Sequence, residues 1–257
     1  MAEALEVELK ENELKPAGFK GVVYWIEEAL CILSLVLMGL LPVAESVARN
    51  FFSTGVPASS GLMTHLLLMA GLIAGMICTR DGSHLYIALV QHFTGGLVKQ
   101  RLQVCGDLIS GFVGTVIAWS SLSFIKIGLE GRPIGFIPDR VFALIIPISY
   151  GVIAFRFFRR TGLTGWKIAF PILTFVLATV AAFPVIAKFI WGFDMPDAIF
   201  DLCDKFYIFA YYAKIPLTIF LLVAALGGAP LFVVMGALGL LLLFAAGGEM
   251  DSVAADI

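Results

Sequence analysis

Apolar residues in this chain do not alternate with polar ones at a strand period, nor do they mark one stripe of a helix. They run together in long blocks separated by short polar breaks. A bilayer core about 30 Å thick needs roughly 20 apolar residues in a helix, and six blocks meet that demand. They are Val22–Val47, Gly61–Thr79, Leu108–Ile125, Val141–Phe155 (extendable to Phe158), Ile168–Ala187 and Ile215–Ala246. The fourth holds Pro147 and reaches full length only if Arg140 and Arg156 snorkel from its ends. The sixth has 32 uncharged residues interrupted by Gly227-Gly228-Ala229-Pro230. Neither half spans alone, so the pattern predicts one kinked, tilted helix, with a re-entrant hairpin as the alternative.

Composition sharpens this. Of 257 residues, 60% are hydrophobic and 14% charged, whereas soluble domains hold about 25% charged residues. A water-soluble fold is excluded, and the expected class is an all-α integral membrane protein with about six transmembrane helices. The formal net charge of −2 offers no basic surface for nucleic acid. Cys31, Cys78, Cys105 and Cys203 are too dispersed for a CxxC unit and read as small hydrophobes.

The first 28 residues carry seven acids against three lysines, the reverse of a secretory leader. Residues 1–20 are therefore expected to be a polar cytoplasmic tail. With that end inside, the inner segments collect ten Lys and Arg and the outer ones seven, led by the Arg156-Phe-Phe-Arg159-Arg160 cluster.

Chemistry is sparse. Gly162-Leu-Thr-Gly165-Trp-Lys167 lacks the spacing of a phosphate loop, and no HExxH occurs. No catalytic, cofactor-binding or metal residue is assigned, and the chain is not expected to be an enzyme. Were it one, Asp107 at the edge of the third block would be the acid to test.

Four features can shape an interface. Glu45 and Arg49, at i,i+4, form either an interfacial ion pair or an anchor for the arm Asn50–Ser60 or a partner. Arg80-Asp81-Gly82-Ser83-His84 is either a charged helix end with a turn or a docking corner. Gly106, Ser110, Gly114 and Ala118 recur in steps of four, a small-residue stripe that permits close helix approach within the chain or between chains. Asp194, Asp197, Asp201 and Asp204 share one face of an expected amphipathic helix lying on the outer surface across residues 193–214.

The order of these features resembles the small (Q, or DctQ-like) membrane subunit of tripartite ATP-independent periplasmic (TRAP) transporters. The likeness rests on Val43-Ala44-Glu45-Ser46-Val47-Ala48-Arg49-Asn50-Phe51-Phe52, on the Gly/Pro/Ser arm after it, and on Thr79-Arg80-Asp81-Gly82-Ser83-His84-Leu85-Tyr86. It covers residues 21–160, a four-helix Q-like domain. Beyond Arg160 the likeness changes. Residues 161–192 fit a connector helix and 193–214 a periplasmic linker. Residues 215–257, through Leu226–Gly239, look like the first helix and tail of the large (M, or DctM-like) subunit. The chain thus looks like the front of a Q–M protein, naturally split or truncated.

The resemblance implies a scaffold subunit of a sodium-driven importer of an organic carboxylate, in a bacterial inner membrane. Its implied partners are a large M-type subunit, a periplasmic substrate-binding protein and lipid. Sodium ions are expected in the M subunit, and this chain needs no cofactor. Glu45, Arg49, Arg80, Asp81, His84 and the Gly106–Ala118 stripe are the candidate interface or scaffold residues. The competing reading is a stand-alone assembly factor or small channel.

Overall fold

A computed structural model describes residues 19–55, 58–82, 96–128, 133–134, 137–192, 196–226 and 229–245. The chain divides into two compact units, Met1–Ile77 and Cys78–Ile257.

The first unit holds α1 (Phe19–Phe52) and most of α2 (Ser59–Asp81). α1 is charge-free from Ala29 to Ala44 and continues helically through Pro42. At 34 residues it is about 51 Å long, so its ends reach past the hydrocarbon core or it tilts. α2 buries Leu66, Ala70 and Ile73, spaced as one helix face.

The second unit is built around α3 (Gly96–Ser123), which a π-turn extends through Phe124–Gly128. A two-residue antiparallel ladder follows, β1 (Pro133–Ile134) on β2 (Ile137–Pro138), pairing Pro133 with Pro138 and Ile134 with Ile137. The short helix α4 (Asp139–Ala143) meets α5 (Ile145–Arg160) at a turn on Leu144. Pro147 accounts for that break: it donates no N–H to Ala143, and its ring crowds that carbonyl. A 3-10 turn (Gly165–Ile168) leads to α6 (Ala169–Ala181) and α7 (Phe183–Trp191), then α8 (Asp197–Leu226) and α9 (Leu231–Ala245).

α3 is the hub, packing against α5, α6, α7 and α9. Half of its most apolar stretch is buried, so α3 faces protein. Small residues make this possible. A Cβ on Gly111 would sit 2.5 Å from Phe158 Cε1, and one on Gly114 would sit 3.2 Å from Ala154 Cβ.

Among the described residues, five helices are long and apolar enough to cross a membrane, and the α6–α7 pair makes a sixth. The protein is an all-α integral membrane protein, as the blocks predict, but three elements differ from expectation. The fifth block is bent by 56° between α6 and α7. Pro184, in the first turn of α7, cannot continue the hydrogen bonding of α6.

The surface-lying helix expected over 193–214 is instead continuous with the apolar residues after it, through Pro216 to Leu226. Neighbouring packing re-satisfies the backbone freed by a membrane proline. Asp197, Asp201 and Asp204 still share an exposed face near its start, and Asp194 lies outside the described residues.

The kinked sixth span is the third correction. α9 folds back on α8, so that Leu240 and Tyr207 pack against buried Val185 and Ala210. The break falls where Pro230 denies an N–H to Leu226 and pushes its predecessor out of the α region. The described residues of α9 number 15, about 22 Å, short of the roughly 20 residues a bilayer crossing needs.

Candidate functional site

Charged side chains gather at two corners, one in each unit. In the first, Glu45 closes the arm between α1 and α2. Its Oε1 accepts from Arg49 Nε at 3.1 Å and from a terminal guanidinium nitrogen at 2.6 Å. Its Oε2 accepts from Ser59 Oγ, the first residue of α2, at 2.6 Å. The carboxylate therefore bonds one turn along its own helix and across the arm at once. Gly55 lies over the clasp, where a Cβ would stand 3.6 Å from Arg49 Nε. Ser53 and Ala58 bracket the arm with left-handed φ values of 54° and 58°, a strained state for residues with a side chain. Glu45 thus makes the i,i+4 ion pair with Arg49 and a bond across the arm to Ser59 together. Ser59 was not legible beforehand, because no local spacing connects it to Glu45.

The second corner joins the end of α2 to α3 and α5. Asp81 accepts from Arg80 Nε at 2.7 Å and from a terminal nitrogen at 3.4 Å. Gly82 takes φ +68°, the left-handed stop that favours glycine just past a helix end. The Arg160 guanidinium covers it, 3.6 Å from where its Cβ would be. Arg160 Nε also lies 3.8 Å from Asp107 Oδ2, and the Asp107 side chain is only 6% exposed. A buried carboxylate needs such a partner. Asp107 is thereby fixed as an internal tie between α3 and α5. His84 lies outside the described residues.

The small-residue stripe divides. Gly106, Ser110 and Gly114 are buried inside the chain, Ser110 completely, its hydroxyl donating to Gly106 O at 2.7 Å. Gly114 rests on Ala154 and Tyr150 of α5. Ala118 is half-buried and borders a cleft. Sequence spacing missed Gly111, which lies off the stripe yet makes the closest approach of all. At the far end of α3, Lys126 donates to the Phe189 carbonyl of α7, and its ammonium sits 4.8 Å from that ring centre.

Residues 38–164 match the family model of the tripartite ATP-independent periplasmic transporters, DctQ component. This segment is a DctQ domain. It begins in the second half of α1 and closes four residues beyond Arg160, so it takes in both corners and the α3–α5 pair. Neither a curated protein nor a solved structure matches the chain. That match covers 127 of the 257 residues, and it is the small permease component of TRAP transporters that this segment resembles. Its tripartite setting implies a large membrane subunit and a periplasmic binding protein as partners.

Proposed function

We propose that the chain is the scaffold subunit of a sodium-driven TRAP transporter for an organic carboxylate, holding the moving M-type subunit in place without binding the solute. The observation that carries this reading is the use made of the charged and small residues of the DctQ domain. Asp107 is spent on Arg160, Glu45 on Arg49 and Ser59, and the glycines on α3–α5 contact. These groups stiffen the domain and are already occupied. α1 meanwhile offers a long apolar surface, with Trp25, Ile32, Leu40 and Val43 all exposed, suited to lipid or a neighbouring membrane subunit. The Lys/Arg balance supports an inner-membrane orientation with the N-terminal side in the cytoplasm.

The reading of residues 161–192 as a connector, 193–214 as a linker and 215–257 as the start of an M-type chain belongs to the same proposal. It is supported by the pattern Leu226–Gly239. The test is co-expression with a large M-type TRAP subunit. A stable complex that takes up a carboxylate only with a sodium gradient and a binding protein supports the reading. Uptake by the large subunit alone at the same rate, or failure of the two chains to co-purify, sinks it.

A further inference from the structure

Between α3, α5 and α6 the second unit carries a cleft of about 250 Å³, lined by Ala118, Trp119, Pro147, Gly151, Phe155 and Phe175 among others. The Thr115 hydroxyl in its wall donates to Gly111 O at 2.8 Å, which leaves the wall apolar. Nothing lies within 4 Å of the point where a Gly151 Cβ would stand, so the missing side chain keeps the cleft open. Apart from Phe175 of α6, the lining residues belong to the apolar stretches Gly96–Lys126 and Arg140–Arg160, whose length and composition suit the hydrocarbon core.

The faces that form the cleft run on to cations. On α5, Gly151, Phe155 and Arg159 follow at i, i+4 and i+8, hence on one face. On the α6 side, Lys167 stands two turns before Phe175. Arg159, next to last in α5, and Lys167, in the 3-10 turn just before α6, are exposed, flank the α5–α6 connection, and have no ion pair among the described residues.

We infer that this cleft binds an anionic glycerophospholipid, an acyl chain lying on Gly151 and Trp119 and the phosphate between Arg159 and Lys167. The volume suits a chain and not a helix, which is about 10–12 Å across with its side chains. The two cations at headgroup level supply the charge that selects an anionic lipid over a zwitterionic one.

Trp119 reports occupancy directly. The full chain with Trp119 as its sole tryptophan (Trp25→Phe, Trp166→Phe, Trp191→Phe) is placed in phosphatidylcholine nanodiscs. Phosphatidylglycerol or phosphatidylcholine brominated on the acyl chain is then titrated in. The brominated phosphatidylglycerol is expected to quench Trp119 at about a tenfold lower mole fraction. Arg159→Gln with Lys167→Gln, both surface changes, should erase that preference, and Gly151→Leu should weaken quenching by either lipid. Equal quenching by the two lipids in the parent, or a preference that survives Arg159→Gln/Lys167→Gln, overturns the proposal. So does the absence of quenching while a variant keeping only Trp191 is quenched, since protein then covers the cleft.

Discussion

Asp107 and Arg160 meet at 3.8 Å across the α3–α5 contact, one nearly buried and the other about a quarter exposed. Between them they tie the start of the packed part of α3 to the last residue of α5. Removing the cation leaves a carboxylate in a site it cannot easily solvate. Arg160→Gln is expected to lower stability in detergent by about 2 kcal/mol, and Asp107→Asn in the same chain to restore part of it. Arg159→Gln, on the exposed neighbour, serves as the control. Equal melting temperatures for Arg160→Gln and Arg159→Gln would show that the tie contributes nothing.

Gly111 and Phe158 set a tighter limit. A methyl group at Gly111 would meet the ring at 2.5 Å, so Gly111→Ala should destabilise by about 1–3 kcal/mol through overpacking. Phe158→Ala in the same chain should relieve the clash, although it opens a cavity of its own. Gly39→Ala, inside α1 with nothing within 4 Å, should hold or slightly raise the melting temperature. Matching thermal curves for Gly111→Ala and Gly39→Ala would contradict the packing described here.

The Glu45 clasp predicts a local effect. Glu45→Ala releases Arg49 and Ser59 together, whereas Ser59→Ala releases only the contact across the arm. Hydrogen exchange in the described arm residues, 53–55 and 58, should quicken in Glu45→Ala and less so in Ser59→Ala, with α3 and α5 unaffected. Exchange unchanged in both variants would argue that the arm holds its shape without the carboxylate.

The return of α9 along α8 is open to cross-linking. Ala210→Cys and Leu240→Cys, in a chain with its native cysteines replaced, are expected to form a disulfide under mild oxidation, because Ala210 and Leu240 pack in one cluster. Along one continuous helix they would stand about 45 Å apart. No cross-link under conditions that oxidise an exposed control pair would favour the kinked span.

Charge reversal at Arg49 or Arg80, following from the proposed scaffold role, should weaken assembly with the large subunit more than it alters substrate affinity. Pull-down yield and the uptake KM separate the two effects. Unchanged yield in both variants would remove these residues from the interface.

Much of this fold was legible because lipid leaves few options. A chain must bury its backbone polar groups in helices to cross, so long apolar blocks state the class and most spans outright. The DctQ order of Glu45, Arg49 and the Arg80-Asp81-Gly82 corner was legible for a similar reason: charges are rare here, and each stands out. The breaks were harder. Pro147, Pro184, Pro216 and Pro230 look alike in sequence, yet Pro216 stays within a helix while Pro184 and Pro230 fall at breaks. Which course each takes depends on the packing that re-satisfies the freed carbonyls. Partners distant along the chain, such as Ser59 for Glu45 and Arg160 for Asp107, leave no periodic trace.

The hub position of α3 has a consequence for biosynthesis. Its partners α5, α6, α7 and α9 all emerge from the ribosome after it. Until they arrive, the Gly106-Ser110-Gly114 face and the Asp107 carboxylate stand at a membrane without their final neighbours. A polar face of that kind is a poor surface for lipid tails. α3 is therefore the span most in need of an insertase or chaperone. A ribosome stalled between Lys126 and Arg160 should leave it as the segment that crosslinks longest to the insertion machinery.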